Sequence, residues 1–277
     1  MLATIFVVWL FSIQTGYAIV SQDIQVSAGL SLGQISLAAS IYTWVFAVAQ
    51  FFSGALLDRF GLRPLMTVAV VLVTAGAFLY AATTNFGTLA AAQVVLALGS
   101  SFGFVGAGYV GGKWFDGAKY GLMFGLVQMC AAGGSAIAQP VIQGFLGVMT
   151  WQHLLYGFGS LGVLLIIGFV LFVRNPDTPE GRPAADDDRN VLVGIVSDLA
   201  KCLANPNVLV SALFAGASFG TLLAVGVLWA PRVGEAHGAS DGQSALLVAM
   251  AWLGLAVGSP VFNLVSNMWR SRKWPAF

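Results

Sequence analysis

The stretch FFSGALLDRFGLRPLM, residues 51–66, decides how this chain is read. An apolar run stops at Asp58-Arg59, passes Gly61 and Arg63, and turns apolar again at once. Only 8% of the chain is charged, so three charges within six residues mark a point where the chain meets water and turns back. Outward from that point the chain is 58% hydrophobic, with a mean hydropathy of +0.87. A soluble domain needs roughly a quarter of its residues charged, which this chain lacks. Apolar stretches close to the roughly 20 residues that cross a bilayer recur instead. The fold class is therefore an all-α polytopic membrane protein.

Eight spans are expected, at 3–22, 34–57, 65–83, 87–111, 119–147, 153–173, 207–230 and 244–266. Alternate connections then hold Arg59, Arg63, Lys113, Lys119, Arg174, Arg182, Arg189, Lys201, Arg270, Arg272 and Lys273 in or beside them, and the opposite side holds Arg232 alone. By the positive-inside rule the first set is cytoplasmic, with the N-terminus and the 175–206 linker. Met1 opens almost directly into the first run, which is too long for a signal peptide and lacks a small-residue cleavage site. The net charge of +1 gives no sign of nucleic-acid binding, and Cys130 and Cys202 give no disulfide pattern.

The linker begins RNPDTPEGRPAADDDRN, whose Pro, Asp and Arg content predicts a solvated loop. It continues VLVGIVSDLAKCLA, with helical spacing suited to a helix lying on the membrane surface. Six spans precede it and two follow. The end of the eighth span, GSPVFNLVSNMWRSRK at 258–273, echoes 49–64: Asn267 falls on Asp58, Arg272 on Arg63, and Asn263 on Gly54. Such internal repetition points to two related bundles.

Within the first copy, Gly54 and Asp58 share a helix face one turn apart. Gly54 permits close approach of a neighbouring helix. Asp58 sits at the C-terminal end of its span, where the helix dipole disfavours a carboxylate and compensation is needed. Gly61 allows a tight turn, and Arg59 and Arg63 can bond helix-end carbonyls or lipid phosphates.

GALLDRFGLR at 54–63 resembles the loop signature of the major facilitator superfamily of secondary transporters. GSPVFNLVSNMWRSRK resembles its weaker second copy, and LWAPRVGEAHGASDGQSALLVAMAWLGLAVGSP at 228–260 resembles bacterial members. The resemblance implies two six-helix domains around a central cavity, working by alternating access. On that frame residues 1–174 form a complete N-terminal bundle, 175–206 a cytoplasmic linker, and 207–277 the first two helices of a C-terminal bundle. The chain ends RSRKWPAF where a ninth span is due, so a fragment or a truncated gene model is expected. The resemblance also implies that Asp58, with Gly54, Arg59, Gly61 and Arg63, forms a conformational latch against the start of an eleventh span.

Polar faces inside the spans supply the candidate contacts. In the fifth span Gln128, Ser135, Gln139 and Gln143 lie within about 80° of one another, and Gly121 and Gly125 continue that stripe. Such a stripe avoids lipid, so it faces either the cavity or another helix. Pro140 is expected to kink the helix. The family's glycine-proline antiporter motif is matched only loosely there, which weighs against drug efflux. In the first span Gln14, Tyr17 and Ser21 share a face. Gln14 and Tyr17 are the leading cavity candidates, joined by Gln93 of the fourth span, Gln128 and Gln139, with helix packing the competing role. The second-span stripe Ser36, Ser40, Thr43, Ala47, Gln50 and Gly54 suits close packing. Trp114, Trp151, Trp229 and Trp269, near span ends, suit the membrane interface.

No charged residue or histidine lies deep in any of the eight spans, where a charge costs at least ~2.5 kcal/mol and is normally functional. Asp23 lies at the outer edge of the first span. The carried molecule is therefore neutral, or its charged partner lies elsewhere, or a backbone dipole serves. His153 and His237 stand apart without metal-ligand spacing, and no acid–base or nucleophile arrangement argues for an enzyme. The expectation is a bacterial inner-membrane secondary transporter of a small metabolite. It would be monomeric when complete, in contact with the lipid bilayer, without metal or bound cofactor, and open to coupling with a proton or ion gradient. A transporter-like sensor or receptor and an inactive fragment are the alternatives.

Overall fold

The structure is a computed structural model and describes residues 1–114, 117–175 and 191–269. Eleven α-helices and one π-helical stretch account for nearly all of the described residues, and no strand occurs among them. Helices α1 (Leu2–Ser27), α2 (Leu32–Phe60), α3 (Leu62–Ala81), α4 (Phe86–Ser100), α5 (Gly103–Trp114), α6 (Gly117–Leu146) and α7 (Trp151–Phe172) precede the linker. Helices α8 (Val191–Ala204) and α9 (Pro206–Thr221), the π-helical stretch Leu222–Trp229, α10 (Ala230–Ala236) and α11 (Asp241–Met268) follow it. Eight of these segments are long and apolar enough to cross a membrane, in the order that hydropathy predicts. The protein is a multi-pass membrane protein.

The fourth span, Phe86–Trp114, is continuous in length but broken in geometry. α4 stops at Ser100 and α5 restarts at Gly103. The Ser101 hydroxyl donates to the Leu98 carbonyl at 2.8 Å and the Phe102 N–H reaches Gly99 O at 3.4 Å, so a tightened turn replaces the regular ladder. Hydropathy alone does not resolve that break, because every residue around it is apolar or small.

The described residues form two compact units, one of 1–175 with 252–269 and one of 191–251. In the first, α3 is clasped between α4 and α7, while α1 lies along α6 and α2 along α4. Small residues set the closest approach. A Cβ on Gly99 would stand 2.6 Å from Ala69 O and 2.8 Å from Val73 N, so α3 and α4 touch backbone to backbone there. Aromatic packing joins α1 to α7: Phe6 meets Phe169 edge-on at 6.0 Å, and the Trp9 indole donates to Phe158 O at 3.0 Å. Trp151, suited by sequence to the membrane interface, is buried instead, its indole donating to the Ser27 hydroxyl at 3.2 Å. Trp114, Trp229 and Trp269 are exposed.

Helices α2, α4 and α7 of this unit start on side-chain caps. The Ser31 hydroxyl accepts from Gln34 N–H while the Gln34 side chain accepts from Ser31 N–H, and Asn85 with Thr88 repeats the arrangement at α4. α6 runs unbroken through Pro140, although Pro140 leaves the Ala136 carbonyl without its helical donor. In the second unit α8 packs on α9, and α9 has no buried residue. Residues 176–190 of the linker lie outside the described residues.

Candidate functional site

The turn between α2 and α3 is a single residue. α2 ends at Phe60, α3 begins at Leu62, and Gly61 between them adopts φ +86° and ψ 165°, a conformation open essentially to glycine alone. Arg63 then closes the corner. Its guanidinium donates to Val170 O at 2.8 Å, in the last turn of α7, and its backbone N–H donates to the Asn175 carboxamide oxygen at 2.8 Å. A cation on the carbonyl end of a helix also complements the helix dipole. Of the two sequence options for Arg63, a helix-end carbonyl or a lipid phosphate, the first is realised. Arg59 lies 6.0 Å from the Phe60 ring centroid.

Beside that turn, Gln50, Gly54 and Asp58 of α2 form one wall of an open groove of about 530 Å³. Lys113 of α5 and Tyr120 and Phe124 of α6 form the other, and the Lys113 ammonium sits 5.3 Å from the Tyr109 ring centroid. A Cβ on Gly54 would meet Val105 at an ordinary 3.8 Å, so α5 approaches Gly54 without requiring its lack of side chain. In the stretch 258–273 that echoes 49–64 in sequence, Asn267 donates to the Asn263 carboxamide oxygen at 3.2 Å, and Asn263 packs against Gly121 of α6. Arg272 lies outside the described residues.

A second cavity, of about 140 Å³, lies inside the first unit toward the helix ends remote from Gly61. α1 supplies Gln14 and Tyr17, α2 Tyr42, α3 Tyr80, and α4 Gln93 and Ser100. Three of the five residues singled out as cavity candidates, Gln14, Tyr17 and Gln93, are thus brought together. The Tyr17 hydroxyl donates to Ile35 O at 2.7 Å, tying α1 to α2, and its ring stacks on Tyr80 at 6.0 Å and 20°. The hydroxyls of Tyr42 and Tyr80 are buried and make no hydrogen bond. Ser100 stands beside the Tyr42 phenol but does not meet it in bonding geometry.

Gln128 and Gln139 lie elsewhere, on α6, and do not line this cavity. Gln139 and Ser135 are buried, Gln128 is half-buried and Gln143 is exposed. The glycine end of their stripe meets α11: Gly121 faces Asn263, and Gly125 faces Ser259 and Pro260. Further along, Trp252 of α11 packs edge-on against Phe11 at 5.1 Å. The second-span stripe read as a packing surface is exposed at Ser36, Ser40, Thr43 and Ala47. Ser40 and Thr43 instead satisfy their hydroxyls on their own helix, through Ser36 O and Ala39 O.

Tyr42 and Tyr80 escape a reading by residue type, since single tyrosines in apolar helices belong as readily to packing. Their positions carry one signal: Ile35, Ala38 and Tyr42 recur at helical spacing and form the buried face of α2.

A sequence model described as the Major Facilitator Superfamily matches residues 1–277. The chain belongs to that superfamily. Among curated relatives, the "Probable L-galactonate transporter" of Escherichia coli K12 is 23% identical over 60% of this chain. The "Probable sulfoacetate transporter SauU" of Cupriavidus necator is 26% identical over 54% of it. The matched regions cover 37% and 35% of those proteins, so the chain corresponds to little more than a third of their length. The crystal structure of a bacterial homologue of the human lysosomal transporter Spinster, inward-facing and unoccupied, superposes with a TM-score of 0.69 at 18% identity. That superposition covers 97% of this chain and 62% of the other, and it establishes a shared fold. The stretch 54–63, singled out by its resemblance to the superfamily's loop signature, contains the one-residue corner at Gly61.

Proposed function

We propose that the complete protein is a secondary active transporter, moving a small polar metabolite across the bacterial inner membrane by alternating access. The observation that carries this reading is the superfamily match along the whole chain. It is supported by a polar-lined cavity inside the first helical unit and by the loop signature at one end of it. The excess of Lys and Arg on one side argues for a cytoplasmic N-terminus and linker. Gly54, Asp58, Arg59, Gly61 and Arg63 act as the latch, and the echo at Asn263, Asn267 and Arg272 is its second copy. Gln14, Tyr17 and Gln93 are the solute contacts. Gln128 and Gln139 serve α6 and its neighbours. The transporter works as a monomer and draws on a proton or ion gradient.

The names of the relatives, an L-galactonate and a sulfoacetate transporter, set the range of the first assay. Proteoliposomes carrying the complete gene product are offered labelled organic acids, polyols, sugars and amino acids. Saturable uptake that exchanges with internal unlabelled solute is the expected result. Only passive leak across the whole panel would overturn the transporter reading.

A further inference from the structure

The glycine that makes the α2–α3 corner leaves α3 without a cap of its own. Gly61 holds the N-cap position and has no side chain, so no cap bond comes from it. Of the N–H groups that a helix start leaves without an internal acceptor, two are disposed of locally. The Gly61 N–H donates to Leu57 O at 3.0 Å, and Pro64, third in the helix, has no N–H to give. A capping side chain ordinarily accepts from the second or third residue, and with proline third only the Arg63 N–H remains for it. Asn175 takes that place from 112 residues away, accepting the Arg63 N–H on its carboxamide oxygen at 2.8 Å. Asparagine is among the residue types that cap best. The carboxamide also lies across the bare face of Gly61, where a Cβ would stand 3.1 Å from both its oxygen and its nitrogen. The capping is mutual, because the Arg63 guanidinium bonds Val170 O in the last turn of α7.

We propose that Asn175 is a positioning residue of the latch: as the N-cap of α3 supplied in trans, it sets the corner on which Asp58 stands. The proposal rests on the latch reading and adds to it a residue outside the signature at 54–63. Asp58 lies in the last turn of α2, just before Gly61, so a shift of the corner moves it. Without a cap the first turn of α3 frays. The corner cannot take that freedom back by itself, since glycine is the least restrained of residues. An acceptor at the first residue of the linker also makes the corner depend on where the linker starts.

The test uses hydrogen exchange resolved to single amides, on the chain in lipid nanodiscs. The second amide of a helix has no internal acceptor, so protection of the Arg63 N–H reports on Asn175 directly. Slow exchange at Arg63 is the expected result, retained in Asn175→Asp, which keeps an oxygen acceptor. Asn175→Leu, of similar shape but without an acceptor, should exchange there about fivefold faster. The amides of Ala69 and Val70, inside α3, should exchange alike in all three and so show that each is folded. In the complete protein, Asn175→Leu should lower turnover severalfold with half-saturation unchanged, and Asn175→Asp should match the parent. Equal exchange at Arg63 in the parent chain and Asn175→Leu would overturn the cap. Faster exchange with undiminished turnover, or a loss that Asn175→Asp shares, would overturn the positioning role. An unaltered rate in Asp58→Asn would instead sink the latch and the positioning role with it, leaving the cap to stand on the exchange rates.

Discussion

Gly99→Ala is the substitution that most directly tests the packing on which the cavity depends. The added methyl would lie 2.6 Å from Ala69 O, 2.7 Å from the Val73 side chain and 2.8 Å from Val73 N. Two of these three atoms belong to the backbone of α3 and cannot swing aside. Ordinary contact begins near 3.4 Å, so the two helices must separate by about 0.8 Å at their crossing. Overpacking of this kind costs ~1–3 kcal/mol, against a helix-propensity gain for Ala over Gly of ~1 kcal/mol. The informative comparison is Gly157→Ala, also within a helix, where a methyl meets nothing within 4 Å and only the propensity gain applies. The two variants should therefore differ by ~2 kcal/mol, or about 4–8 °C in thermal midpoint for a chain of this size. The assay is tryptophan fluorescence on heating in one detergent, with both variants side by side. Because α3 carries Tyr80 and α4 carries Gln93 and Ser100, Gly99→Ala should also impair binding in the cavity. Equal midpoints for the two variants would refute the backbone-to-backbone contact.

Gly61→Ala forces a side chain into φ +86° and against Asn175, so it should lower the thermal midpoint by the equivalent of ~1–3 kcal/mol. Arg63→Ala should increase protease cleavage after the sixth span, since it frees Val170 O and removes a cation from the end of α7; unchanged cleavage would count against the tie. Ser53→Ala breaks the buried 3.1 Å bond to the Ser101 hydroxyl and should cost ~1 kcal/mol by chemical denaturation. Asp58→Asn in the complete protein should slow turnover severalfold while leaving substrate affinity nearly unchanged; an unaltered transport rate would dispose of the latch.

The eight spans were legible because hydropathy is a property of the chain itself, and so was the turn at 58–64, where charges interrupt an apolar sequence. The neighbours of each helix face were not. Gln128 and Gln139 share a face on α6 with Gly121 and Gly125, but which partner that face meets depends on helices distant in sequence, and α11 takes the glycine end. Gln14, Tyr17 and Gln93 were recognisable because glutamine and tyrosine stand out in mid-span. Tyr42 and Tyr80, which complete the same cavity, were not: a tyrosine is distinguished from a packing residue by whether its hydroxyl has a partner, and sequence does not record that. The break at Ser101–Phe102 was hidden for a related reason, since it arises from one hydroxyl bending back onto its own helix.

The corner at Gly61 also fixes an order of events during synthesis. Arg63 reaches Val170 and Asn175, 107 and 112 residues further along the chain. At ~5–20 residues per second a ribosome needs on the order of ten seconds to make that interval. Throughout it, the Arg63 guanidinium lacks the α7 carbonyl that it holds in the finished protein. Completion of the sixth span supplies both acceptors almost together. The tie that closes the corner at Gly61 can therefore form only after the sixth span and the first residue of the linker have been made.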